Sequence, residues 1–506
     1  MGFNYRRKLF CYLSKTVCHF DRRPVNTIIA LLFQPPLCKY FFICYICTVI
    51  NIKARSIQPE AKSFYKSLFT IVGPIALQNL FSAAVSSADV IMLGYVGQTA
   101  IAAASLASYV QFVLFLFFTG LSSGLIMLSS QYWGKKDTYS IETIFGITLK
   151  LACSVGLIFS LAAILFPKFL MLIFTNDTEL IETGGQYLQI VGVSYFMLAI
   201  SQAYQASLKS IEHVKIVSVV TIVALSLNIF LNAVFIFGLF GVPKSGIKGV
   251  ALATSISRFA EMIICLFASS RIKEVKLSFG TMFRKNKVLL KDFFHYSLPA
   301  LGNEFVWGAA FAMYAVILGH LGSDIVAANS VVNVIRNLAT VLCFGMSYGG
   351  AILIGKEIGS NDLDKAKRDS SRLIKSTIAS GIAGAVLMFC LKPLLPKIAA
   401  LTPTAANYLN PLLYINCFSV IGASINTVII CGVFRAGGDS KFGFICDTII
   451  MWAVSVPLGL LCAFVFKFPP VIVYLVLYLD EWEKMAFVVY HYKSGKWLKN
   501  ITREFK

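Results

Sequence analysis

The chain has 506 residues, of which 57% are apolar and only 14% charged, with a mean hydropathy of +0.75. A water-soluble domain carries about 25% charged residues, so these figures exclude both a soluble globular protein and a disordered one. The net charge of +21 would point to nucleic acid in a soluble chain. Here the Lys and Arg sit in short loops between apolar blocks, so the partner is a lipid bilayer and not nucleic acid.

Residues 1–63 differ from the rest and read as an N-terminal extension. They open on Arg6, Arg7 and Lys8, carry Pro35 and Pro36, and contain an apolar run, 37–52, that is short for a span. They lack the small-residue cleavage site of a signal peptide. From Phe64 onward twelve apolar blocks follow, near the ~20 residues that cross a bilayer as a helix. The first six run 66–92, 102–130, 143–172, 185–208, 215–240 and 247–270. After a polar, basic stretch at 271–291, six more run 293–319, 327–354, 372–396, 406–434, 442–466 and 469–490. The expected architecture is an all-α membrane protein with twelve transmembrane helices. It has an N-lobe at 64–270, an inter-lobe loop at 271–291, a C-lobe at 292–491 and a basic tail at 492–506. Most loop cations follow the even-numbered blocks, among them Lys135, Lys136, Arg271, Lys273, Arg284, Lys285, Lys287, Lys365, Lys367 and Arg368. The opposite loops and their flanks hold Lys168, Lys244, Lys248, Lys392, Lys397 and Lys467. The positive-inside rule places residue 64, the 271–291 loop and the C-terminus in the cytoplasm.

A 225-residue shift, without gaps, lays 71–137 on 296–362 with 14 of 67 positions identical. Five of these are glycines: Gly94/Gly319, Gly97/Gly322, Gly120/Gly345, Gly124/Gly349 and Gly134/Gly359. Pro74/Pro299 and Asp137/Asp362 match as well. A weaker echo sets Lys209 and Lys215 against Arg435 and Lys441. Apolar composition alone does not align prolines and glycines. Six helices per half is an even number, so the two lobes share one orientation, as a parallel pseudo-twofold repeat, and a substrate path is expected between them.

Polar groups within the blocks are costly and therefore informative. Asp89 lies about 22 residues into the first helix, roughly 33 Å along it, in the outer half. It can exchange a proton or hold Na⁺, against the plainer reading of an interfacial carboxylate. Glu304 lies about 18 Å from the inner surface, beside Asn303 and just after Pro299. Pro74 and Pro299 each remove a backbone donor and should bend their helices. A midplane glutamate among apolar neighbours should be neutral or paired with a cation; a helix-orienting hydrogen bond is the alternative. Asn228 and Asn232, at i and i+4, share one helix face and can coordinate Na⁺, receive a protonated carboxyl or bond a neighbouring helix. Arg258 and Glu261, at i and i+3, read as an internal ion pair. Arg336 is expected to reach a carboxylate across the lobes, and Asp447 is a weaker candidate of the same kind. The thirteen cysteines lack metal-ligand spacing, so they read as small buried hydrophobes. There is no Walker A, HExxH or EF-hand pattern, and only five histidines. We therefore expect no enzyme, no cofactor and no resident metal, with transport running on an ion gradient.

With these residues in place, 64–491 resembles the multidrug and toxic compound extrusion (MATE) family. GPIALQ at 73–78 and SADVIMLGYVG at 87–97 look like the family's first-helix signature, echoed at 298–322. NIFLNAVFIFG at 228–238 looks like its fifth helix, and FRAGGDSK at 434–441 like the loop after its tenth. The resemblance implies a monomeric plasma-membrane antiporter that exports organic cations against inward H⁺ or Na⁺. It also implies an N-lobe ion site that matches Asp89, Asn228 and Thr254. The family's second helix-5 acid is Asn232 here, which removes one charge, while Glu304 fits a helix-7 glutamate of other branches. Transient Na⁺ at Asp89, Asn228 and Asn232, or at Glu304, is the metal involvement this implies. The alternatives are a flippase for a lipid-linked saccharide, disfavoured by the scarcity of cations in the spans, and a membrane-embedded enzyme.

Overall fold

The structure, a computed structural model, describes residues 59–394 and 401–504. Twelve long helices succeed one another: α1 Pro59–Gly94, α2 Gln98–Lys135, α3 Thr138–Leu165, α4 Thr178–Ser210, α5 Val214–Phe237 and α6 Gly246–Ser270. Then come α7 Lys287–Leu321, α8 Ser323–Gly359, α9 Leu363–Leu391, α10 Pro403–Phe434 and α11 Ser440–Val465. The last, α12, has two segments, Pro470–Tyr478 and Asp480–Ser494. The first helix starts slightly earlier than the sequence places it. The remainder of the expected 1–63 extension, 1–58, lies outside the described residues.

Ten of these helices are long and apolar enough to cross a membrane. Of the two that fall short, α12 is divided into segments of 9 and 15 residues, and both α4 and α12 carry buried polar groups, among them Gln205 on α4 and Asp480, Glu481 and Lys484 on α12. Large apolar side chains such as Ile158, Leu161 and Leu165 of α3, and Val386 and Phe389 of α9, face outward, as a lipid-facing surface requires.

The repeat residues have local duties that explain their identity. Asp137 and Asp362 cap α3 and α9 through Ser140 N and Lys365 N, each satisfying a backbone donor that the helix leaves free. Gly97 and Gly322 precede α2 and α8 with φ of 141° and 129°, conformations that side chains disfavour. Pro74 and Pro299 sit inside α1 and α7.

Within the N-lobe, α4 packs on α2, α3 and α6, and α6 packs on α5; in the C-lobe α8, α9 and α10 pack together while α7 packs on α11. The lobes meet along α2, which packs on both α7 and α8, and where α1 meets α8. The other repeat glycines line this joint. A Cβ on Gly120 would collide with Leu301 and one on Gly124 with Ser297; Gly345 and Gly349 lie against Val72. Deeper in, Gly134 abuts the carbonyl of Lys356, and Gly359 that of Gln131, the residue the repeat equates with Lys356. In a bilayer, where water gives no apolar driving force, such small residues let backbones pack closely. At this end, α2 is buried without interruption from Ser123 to Tyr132.

The basic tail returns to the same joint, where the sequence shows only a charged terminus. Trp497 is 1% exposed, and Gln131 of α2 donates to the carbonyls of Ala436 (2.7 Å) and Lys499 (3.1 Å). Gln131 also accepts from Ile501 N (2.9 Å), and Arg503 grips Asp292 of α7 through Nη2 (2.8 Å) and Nε.

Candidate functional site

The far end of α1 presents Asp89 to α5. Asn232 Nδ2 donates to Asp89 Oδ1 at 2.7 Å and lies 3.4 Å from Asn228 Oδ1. One turn back on α5, Asn228 Nδ2 reaches the Thr254 hydroxyl of α6 at 3.4 Å, while that hydroxyl donates to the Val250 carbonyl at 3.0 Å. The i, i+4 spacing puts both amides on the face turned to α1 and α6. The amide oxygen of Asn232 is buried and has no hydrogen-bond partner. Such an orphan acceptor is costly unless something fills it. A carboxylate, two amide oxygens and a hydroxyl form an oxygen-only donor set, which suits Na⁺ or a shared proton. Tyr187 of α4 stands beside Thr254 and completes the cluster; nothing in its sequence context marks it.

Arg258 is paired outside this set. Its Nη1 lies 2.7 Å from Glu261 Oε2, and Gln205 holds the other Glu261 oxygen at 2.8 Å.

The remaining candidates gather in the C-lobe, where Glu304 is paired with a cation, one of the two states expected of it. Glu304 is no lone carboxylate: Arg435 Nη2 lies 3.0 Å from its Oε1 and 2.9 Å from Asn303 Oδ1. Arg435 stands in the motif read as a loop, yet it lies directly beyond α10 with its side chain buried. Its Nη1 also donates to Ser123 of α2 at 2.8 Å, crossing between the lobes. Asn303 passes the network on, donating to Asp447 Oδ2 at 2.6 Å. Lys484 of α12 then lies 3.2 Å from Asp447, 3.1 Å from Glu481 and 3.9 Å from Asp480. Arg336 does not cross the lobes; its guanidinium lies over the Phe311 and Tyr478 rings at 5.4 and 4.9 Å within the C-lobe. Sequence reasoning missed Arg435 and Lys484. Lys484 does follow two acids at helical spacing, but that pattern reads equally as a solvated helix end.

The sequence-predicted residues thus form two sets. Asp89, Asn228, Asn232 and Thr254 join in the N-lobe, and Asn303, Glu304 and Asp447 join in the C-lobe. Comparison with known proteins gives this arrangement its family. The MatE family pattern matches residues 74–234 and 299–461, two copies whose starts keep the interval of the internal repeat. The chain belongs to the MATE family. It is therefore an integral membrane transporter. The uncharacterized transporter YisQ of Bacillus subtilis is 25% identical over 87% of this chain and 96% of its own length. The probable multidrug resistance protein NorM of Rhizobium meliloti is 27% identical over 82% and 89%. Among solved structures, a Vibrio cholerae MATE transporter shares the fold of this MATE chain. Its TM-score is 0.78 at 17% identity, over 87% of this chain and 100% of that one.

Proposed function

We propose that this MATE transporter is an ion-coupled antiporter, exporting organic cations by rocking of its two lobes while H⁺ or Na⁺ moves inward. The observation that carries this reading is the N-lobe set, in which Asp89 faces an amide whose oxygen has no partner. An inward-moving ion that binds Asp89 neutralises the charge that an organic cation needs, so the two ligands exclude each other and exchange follows. Three of the cations in the spans are already paired. Arg258 is held by Glu261, Arg435 by Glu304, and Lys484 by three carboxylates. A lipid-pyrophosphate site would need such cations free. In this reading the excess of Lys and Arg favours a cytoplasmic joint and tail, which makes the described arrangement closed inward; a plasma-membrane location and a monomeric working unit belong to the same proposal.

Vesicles carrying the protein, loaded with a fluorescent organic cation, test this under imposed pH or Na⁺ gradients. One of the two gradients should drive export. Asp89→Asn should lower the driven rate at least about tenfold, the equivalent of 1.4 kcal/mol. Export that ignores both gradients would overturn the coupling, and an unchanged ion dependence in the variant would remove Asp89 from it.

A further inference from the structure

The C-lobe network contains a charge that nothing in it balances. Around Lys484 stand Asp447, Asp480 and Glu481, all at least nine-tenths buried. The ammonium donates to Glu481 at 3.1 Å and lies 3.2 Å from Asp447 Oδ1, a buried oxygen left without a hydrogen bond, while Asp480 lies at 3.9 Å, outside hydrogen-bond reach. Glu481 and Asp447 have further donors in Asn426 (2.9 Å) and Asn303 (2.6 Å). Asp480 is left with the Glu481 N–H at 2.8 Å and the Tyr314 hydroxyl at 3.3 Å. The groups facing it are Tyr314 on α7, Arg336 on α8 and Asp447 on α11, with Glu481 and Lys484 on α12 itself; Cys343, Asn426, Cys431 and Cys446 face the rest of the cluster, at Glu481, Asp447 and Lys484. Counting Arg336 in full, and the Arg435–Glu304 pair beyond, four carboxylates face three cations. A buried site does not keep an unbalanced charge.

Pseudosymmetry makes the same point independently. The 225-residue shift carries Asp89 onto Tyr314. One residue more, the offset that relates Lys209 to Arg435, carries Thr254 onto Asp480 and Arg258 onto Lys484. In the N-lobe the acid is on the first helix and the hydroxyl on the sixth. In the C-lobe the hydroxyl is on the seventh and the acid on the twelfth. Both lobes then place a cation four residues after the sixth-position partner.

We propose that Asp480 is a second, exchangeable proton site, with Tyr314 and Lys484 as its positioning residues. The ligand is a proton and not Na⁺. A sodium ion among these oxygens would share them with the Lys484 ammonium at like charge, whereas a proton adds no bulk and converts the carboxylate to a neutral carboxyl that can donate. That proton leaves as H⁺ to water when Asp480 ionises. Its use in coupling rests on the antiporter reading, but its existence does not.

Infrared difference spectra of the full-length protein in lipid vesicles, in H₂O and D₂O, test the site as pH is stepped across neutrality. The wild type should show a deuterium-sensitive carboxyl C=O band that fades as pH rises. The band should vanish in Asp480→Asn and persist in Asp89→Asn. A band identical in wild type and Asp480→Asn, or none that responds to pH, would overturn the proposal. Should Asp480→Asn fail to fold, Asp480→Glu decides: the band must move in frequency, and an unmoved band would assign it elsewhere. A persisting band in a protein whose export ignores ion gradients would defeat the antiporter reading while leaving the site standing.

Discussion

At the residue scale, the Arg435–Glu304 pair changes what Glu304 is for. As a lone midplane acid it would be a binding group; paired with Arg435 it becomes one end of a buried chain from Ser123 through Asn303 to Asp447. Removing one partner of a buried pair strands the other and costs about 3–5 kcal/mol, whereas replacing both by apolar groups is often neutral. Arg435→Met should therefore lower thermal stability markedly, and adding Glu304→Leu should restore much of it. Melting of the purified protein in detergent checks this; a double variant no more stable than the single one would show that the pair is not the source. Of the N-lobe set, Asn228 and Asn232 were legible from their i, i+4 spacing and Asp89 as a carboxylate within a span, whereas Thr254 came only from the family resemblance. Arg435 was not legible, because it stands just before Ala436, Gly437 and Gly438 and reads as loop. Only packing shows that the helix end delivers its side chain inward.

At the element scale, the repeat glycines divide into two kinds, and the sequence alone does not separate them. Gly97 and Gly322 are needed for backbone conformation and have open space around them, whereas Gly134 and Gly359 are needed for contact. A methyl group on Gly359 meets the backbone of Gln131, which cannot swing aside as a flexible side chain would. Gly359→Ala should push α2 and α8 apart, at the 1–3 kcal/mol typical of overpacking, or about that. The same change at Gly94, with only the tip of Ile101 near it, should be close to neutral. Unfolding of the two variants side by side measures the difference, and equal stability would mean that the joint relaxes around the methyl. The twelve-helix order itself was readable from block lengths and the repeat. The buried polarity of α12 was not, because its acids and lysine look like those of a helix leaving the membrane.

At the scale of the whole molecule, one end of the lobe joint is fastened by a segment belonging to neither helix bundle. The tail takes hydrogen bonds from α2 through Gln131 and Lys135, and Asn500 donates to the Ile358 carbonyl of α8 at 3.1 Å. Arg503 binds Asp292 of α7, and that carboxylate holds the guanidinium even further above its ordinary range. Any motion that separates α2 from α7 and α8 at this end must break these bonds together. They therefore favour the closed joint over the opened one without touching either polar set. Truncation after Leu498 should leave the fold intact, since the helices, their caps and the buried Trp497 precede it, but should loosen the joint. Amide hydrogen exchange reports local opening of this kind directly. Exchange should quicken in 123–135 and 345–359 and stay unchanged in α5 and α6, where the Asp89 set lies. Arg503→Ala should give a smaller change in the same segments. Equal exchange in truncated and full-length protein would mean that glycine packing alone holds the joint and that the tail merely rests on it.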